Sequence, residues 1–79
     1  MNTDTNTALQ LRTAVDLLDA GHGTRWIVAL LSDDAYQLAT HHSELLHGVG
    51  LTGLVEDITR GNADREDLRA ALVAAREVS

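Results

Sequence analysis

The chain has 79 residues and a formal net charge of −6, from six arginines and no lysine against twelve acidic residues. This length supports one domain, which buries only about 60% of the surface that its unfolded chain exposes. Because cysteine is absent, disulfides and cysteine-ligated zinc are excluded. The negative charge disfavours binding to nucleic-acid phosphates or anionic membranes, and it suits a protein partner with a basic surface.

The sequence predicts a cytoplasmic location. It holds no apolar run of about 18 residues, the length that a transmembrane helix requires. Its first residues, Met1 to Thr7, are polar and include Asp4, unlike the basic and then apolar start of a secretory signal.

Apolar residues recur at the i, i+3, i+4, i+7 spacing of helices, without the alternation typical of strands. This pattern predicts an all-α fold, a compact bundle or orthogonal array of four to five short helices. We expect a disordered N-terminal lead over residues 1–6 and a single helical domain over residues 7–79. Four sets of residues have this spacing, and each set is called a stripe. The stripes are Leu11, Ala14, Val15 and Leu18; Ala35, Leu38, Ala39, His42, Leu45 and Leu46; Leu51, Leu54, Val55 and Ile58; and Leu68, Ala71, Leu72 and Ala75.

The first helix is predicted to begin at Thr7, because Thr7 and Gln10 have the T-x-x-Q spacing of a capping box. It should end near Ala20, before Gly21. The next segment, Trp26 to Leu31, is apolar throughout and could be a buried strand. A short helix is the preferred prediction because no second strand is available for pairing.

The remaining helices have recognisable ends. Ser32, followed by two aspartates, is predicted to cap a helix that ends near Gly48. A helix from about Leu51 to Arg60 should stop at Gly61. The last helix should follow Asn62 or Asp64 and continue to about Glu77. The expected core consists of Trp26, Ile27, Leu30, Leu38, Leu45, Leu54, Ile58, Leu68 and Leu72.

Four histidines, three of them clustered, make a metal site the first candidate chemistry. Glu44 and His47 have the E-x-x-H spacing of metal-binding helix bundles, but with His41 they should lie on the solvent side of their helix. We therefore expect a solvated polar face and no metal. His42 lies on the apolar stripe, either as a hydrogen-bonded core histidine, the preferred interpretation, or as a pH-sensitive packing switch.

Enzyme motifs are missing, and the sequence predicts a non-enzymatic protein without a cofactor. A phosphate-binding P-loop needs a lysine, and the G-x-S-x-G nucleophile motif does not occur. Ser43 is expected on the surface. Asp33 and Asp34 could act in acid–base chemistry only inside a cleft, and helix capping is the simpler role.

A DNA-binding protein is the first alternative. The segment from Leu45 to Gly50, followed by Leu54 and Ile58, resembles the turn of phage-repressor helix-turn-helix domains, which would imply a DNA-reading second helix. That helix, however, would present Glu56 and Asp57 to the groove, where arginine or an amide is expected. Acidic residues also interleave with the basic strip of Arg60, Arg65, Arg69 and Arg76.

Helix 1 carries a second apolar face, formed by Leu9, Leu17 and Ala20, with Val73 as a weaker counterpart on the last helix. So short a chain can hardly bury one helix on two sides, so these four residues are predicted to bind a protein partner or a second copy of the chain. Phage-encoded inhibitors, immunity proteins, antitoxins and adaptor domains of bacterial defence systems share this small, acidic, helical profile. The main functional hypothesis is therefore a protein-interaction module.

Overall fold

The computed structural model describes residues 2–78, with side chains from residue 5 onward. These residues form five helices and no strand, which confirms the predicted all-α class. The helices are α1 (Asn2–Asp19), α2 (Thr24–Ala29), α3 (Asp33–His47), α4 (Leu51–Arg60) and α5 (Arg65–Val78). No helix among the described residues is long and apolar enough to cross a membrane.

Helix α5 is the centre of the packing and contacts α1, α3 and α4. It runs opposite to α1, because Arg65 and Arg69 near its start bond to residues at the end of α1. The buried residues of these two helices are the predicted stripes, each with under 5% exposure. They are Leu11, Ala14, Val15, Leu18, Leu68, Ala71, Leu72 and Ala75.

The helix ends largely agree with the predictions. Gly21 and Gly61 have positive φ angles, and the N–H of His22 donates to the Leu17 carbonyl over 3.1 Å. This bond satisfies a carbonyl that the end of the helix leaves unpaired. An i, i+4 ion pair lies at the end of α4, with Arg60 Nη2 3.7 Å from Glu56 Oε2.

The start of α1 differs from the prediction. The helix begins at Asn2, so residues 2–6 belong to it, and Met1 lies outside the described residues. Thr7 is buried one turn before Leu11 on the same helix face, which places it inside the helix rather than at its cap. The predicted capping box is therefore wrong, and the Gln10 side-chain oxygen instead accepts a hydrogen bond from the backbone N–H of Ser32.

Helix α2 confirms the preference for a helix over a strand, but its place in the fold corrects the predicted core. Its buried residues are Thr24 and Ile27, while Trp26 and Leu30 are 48% and 50% exposed. The helix packs against α1 and α4 and has nothing covering its remaining side in the described chain. Trp26, Ile27 and Leu30 were all expected in the core; instead one face of the helix is buried and one faces solvent.

Helix α3 gives a second correction, because its buried face consists of the small residues Ala35, Ala39 and Ser43. Small side chains at this i, i+4, i+8 spacing let α3 approach α5 closely. The Leu38 side of the helix is consequently at the margin of the core, and Leu45 is 67% exposed. Leu38 and Ile58 are half-buried, whereas Ile27, Leu54, Leu68 and Leu72 are buried as predicted.

Candidate interaction surface

The predicted partner-binding residues do not form one continuous exposed face. Leu9 is 58% exposed, and Ala20 is also exposed. Leu17 and Val73 are half-buried, and both pack against the core. Leu9 and Ala20 thus offer free surface, while Val73 has little to offer a partner. Leu17 instead lines a pocket between α1 and α2.

This apolar pocket has a volume of about 100 Å³. Leu17 forms part of its α1 side, and Ile27, Leu30 and Leu31 form the side that faces it. The volume is about three times that of a liquid water molecule, about 30 Å³. It therefore has room for part of one apolar side chain and is far smaller than small-molecule sites, which occupy about 300–1,000 Å³.

An open cleft of about 590 Å³ continues from this pocket toward the start of α1. Gln10 and Thr13 line both spaces, while Leu9, Ser32 and Asp34 line the cleft alone. The Gln10–Ser32 hydrogen bond holds the cleft's two sides together. We call the pocket and the cleft together the α1–α2 groove.

Trp26 lies next to the apolar end of this groove, one helical turn before Leu30. The Leu30 N–H donates to the Trp26 carbonyl over 3.2 Å, so the two half-exposed side chains are neighbours on α2. The indole ring also contacts His22, with the ring centroids 5.0 Å apart. The chain's largest side chain thus contacts His22, while about half of it remains accessible to a partner.

The sequence pattern did not predict this surface, because Trp26 and Leu30 were expected in the core. A signal was present: Thr24, Ile27, Val28 and Leu31 have the i, i+3, i+4, i+7 spacing, and Trp26 and Leu30 fall outside it. Arg25, next to Trp26 and outside that spacing, is charged and exposed, so the spacing and this one charge together could have shown which face is buried.

Acidic side chains lie at the other end of the groove. Asp33 and Asp34 occupy the first turn of α3, where the helix dipole favours negative charge. Within residues 5–78 neither carboxylate forms an ion pair. Their charge is therefore available to a cation from outside the chain.

The arginines of the predicted basic strip are engaged within the protein. Arg65 Nη2 donates to the carbonyls of Leu18 and His22 over 2.8 and 2.7 Å. Arg69 forms two hydrogen bonds with Asp19, of 2.9 and 3.2 Å. Arg60 and Arg76 lie within 4 Å of glutamates on their own helices. None of the four is left without a negative or carbonyl partner.

The Arg69–Asp19 pair joins α5 to the end of α1. Hydrogen bonding to the Arg69 guanidinium lowers the pKa of the Asp19 carboxyl, and the same bonds raise the pKa of Arg69. Both side chains are partly exposed, so the pair orients the two helices more than it adds to stability.

The histidine cluster lies as predicted on the solvent side of α3, with His41, Glu44 and His47 exposed. No group of three potential metal ligands occurs in the described part of the chain. His42 is half-buried and forms an edge contact with His41, their ring centroids 5.4 Å apart. The prediction of a core histidine is therefore wrong, because the small-residue face of α3 is the one that turns inward.

Ser43 is fully buried, contrary to its predicted surface position. Its hydroxyl donates to the Val49 carbonyl over 2.9 Å and so fixes the turn between α3 and α4. This structural role accounts for the serine. Thr40 lies nearby, and its buried hydroxyl has no hydrogen-bond partner among the described residues.

Comparisons with known proteins leave the interpretation to the geometry. No protein-family model, curated protein or solved structure matches this chain.

Proposed function

We propose that this protein is a non-enzymatic interaction module that binds a partner protein with a basic surface through the α1–α2 groove and the adjoining Trp26. The observation that carries the proposal is the exposure of Trp26 on α2 and of Leu30, which directly follows that helix, beside an apolar pocket. Tryptophan is enriched among the residues that dominate binding energy, especially next to pockets. Proteins that act as inhibitors, immunity proteins or adaptors need no more than such a surface.

The apolar contacts alone would give weak binding. Covering a half-exposed leucine contributes about 1 kcal/mol, since full burial gives about 1.5–3, and a tryptophan at the centre of an interface contributes about 2 or more. Association costs at least about 4 kcal/mol in lost freedom of motion. The proposal therefore requires attraction between the acidic chain and a basic partner, which also speeds their encounter.

A DNA-binding function receives less support from the same arrangement. A three-residue turn does separate α3 from α4, and the turn resembles that of helix-turn-helix domains. The residues that α4 would present include the half-buried Glu56 and Asp57, whose carboxylates repel phosphates. The arginines of the basic strip are already engaged within the chain.

The decisive experiment compares two double variants that leave the charge unchanged. Leu9→Gln with Leu30→Gln alters the proposed surface, and Leu45→Gln with Leu46→Gln alters equally exposed leucines on α3. The tagged wild-type protein is used to capture a partner from the cells that produce it, and the complex is rebuilt from purified components. We expect the first variant to lose at least tenfold in affinity and the second to bind normally.

Three results would contradict the proposal. One is equal binding by both variants, and another is a partner that binds only through the Leu45–Leu46 surface. The third is salt-sensitive binding of duplex DNA at submicromolar concentration in gel shifts, which would support the DNA-binding alternative. Light scattering of the free protein separates a different partner from self-association, because only the latter raises the mass of the purified chain.

A further inference from the structure

The shape of the α1–α2 groove indicates what kind of molecule it can bind. The cleft and the pocket together follow α1 from Asn6 to Leu17. Eleven residue steps at about 1.5 Å each give a length of about 16 Å, or three helical turns. The cleft is large enough for a small molecule but open to solvent along its side, whereas small-molecule sites bury about 70–90% of their ligand's surface. A groove of this length, apolar at one end, therefore matches a short segment of protein better.

The secondary structure of that segment follows from its backbone. No strand, and hence no strand edge, occurs among residues 2–78, so an extended peptide would find no row of backbone groups to pair with. A helix satisfies its own backbone hydrogen bonds and binds through side chains alone. The groove therefore favours a helix that is laid along α1.

The two ends of the groove differ in chemistry, which sets at which end the apolar and the basic side chains of the helix lie. Leu17, Leu30 and Leu31 form an apolar pocket at one end, where a large apolar side chain can be desolvated. Asp34 lines the other end, with Asp33 beside it, and neither is paired within residues 5–78. Asp34 lines the cleft together with Leu9, and Leu9 is eight residues, or about 12 Å and two helical turns, from Leu17 of the pocket.

A second copy of this chain is a poor occupant because each copy has a net charge of −6. Bringing two such surfaces together costs electrostatic energy. A partner with basic side chains gains instead from the unpaired aspartates.

We propose that the α1–α2 groove binds one basic amphipathic helix of the partner, an inference that rests on the proposed function. A large apolar side chain of that helix fills the pocket between Leu17 and Leu30. Arginine or lysine side chains about two turns further along contact Asp33 and Asp34. The helix lies along α1 and also covers Leu9.

A displayed library of helical peptides, randomised on one face, tests this inference without knowledge of the natural partner. The immobilised wild-type protein is used for selection. We expect the enriched peptides to carry a large apolar residue and, about two turns away, arginine or lysine. Acidic or extended sequences among the enriched peptides, or no enrichment at all, would overturn the inference.

One enriched peptide is then synthesised with a fluorescent label, and its affinity for variants is measured by anisotropy. Leu30→Gln should weaken binding at least tenfold, and Leu46→Gln should leave it unchanged. Asp33→Asn with Asp34→Asn should weaken binding severalfold at low salt and less at high salt, because added ions screen the charges. Equal affinities for Leu30→Gln and the wild type would contradict the proposed groove.

The direction of the helix is tested with a spin label on the basic end of the same peptide. We expect it to broaden the amide resonances near Asp34 more than those near Leu17, and the opposite pattern would overturn the orientation. These outcomes are separate from the proposed function. If the natural partner still depends on Leu9 and Leu30 while the library gives extended peptides, the function stands and the helical partner is wrong.

Discussion

Helices α2 and α5 are both rich in apolar residues, yet their burial differs. In α5, charged residues mark the solvent side and the apolar stripe is fully buried. In α2, every residue from Trp26 to Ala29 is apolar. Trp26 and Leu30, which directly follows the helix, nevertheless remain half-exposed. Apolar content therefore identifies the core only where polar residues define an opposite face. Where apolar residues follow one another without interruption, as from Trp26 to Ala29, the packing of neighbouring helices decides which side is buried.

The largest expected effect is the difference in protein stability between a substitution in α5 and one in α2. Leu72 of α5 is fully buried, so Leu72→Ala should lower the free energy of unfolding by about 2–5 kcal/mol. Trp26→Ala should cost only about 1–2 kcal/mol, less than the about 3–5 kcal/mol of a buried tryptophan, because about half of the side chain is already in water. Urea unfolding followed by circular dichroism gives both values. Equal losses for the two variants would contradict the exposed position of Trp26.

The sequence predicted the stripes of α1, α4 and α5, because in each the apolar residues at helical spacing are separated by charged ones. It also predicted the glycine-terminated helix ends, which depend on local chemistry alone. The burial of α3 required knowledge of its neighbour: Ala35, Ala39 and Ser43 turn inward because α5 packs closely against them. Likewise the α1–α2 groove exists because residues far apart in sequence, such as Leu17 and Leu30, meet in space. Spacing within one helix could not reveal that.

A second prediction concerns the connection that joins α5 to the turn before α2. Arg65 donates to two carbonyls at the end of α1, and hydrogen bonds from charged groups contribute more than neutral ones. Arg65→Ala should lower the free energy of unfolding by about 1–2 kcal/mol. Arg60→Ala is the matched control, because it removes only the exposed pair with Glu56, which contributes about 0.3–0.5 kcal/mol. Urea unfolding of both variants checks the ranking, and a larger loss for Arg60→Ala would refute it.

The smallest expected effect is a pH dependence localised at the α1–α5 contact. The pKa of Asp19 is lowered from its ordinary value of 3.8, first by hydrogen bonding to Arg69. A carboxyl whose pKa is lower in the folded state binds protons more readily when unfolded, so it stabilises the fold at higher pH. That stabilisation is fully present well above pH 3.8. It is lost as the pH falls below this value and through the lowered pKa of the folded protein.

Asp19→Asn should therefore reduce stability at neutral pH and make the stability less dependent on pH in the acidic range. Asp16→Asn is the control, because Asp16 is exposed on the same helix and forms none of the described ion pairs. Urea unfolding at a series of pH values from neutral downward gives the three curves. We expect the curves of wild type and Asp19→Asn to converge on acidification, while Asp16→Asn follows the wild type. Because the pair is partly exposed, added salt should narrow the gap at neutral pH. A gap that stayed constant at all pH values would show that Asp19 acts through packing, and the ion pair would then have no part in joining α1 to α5.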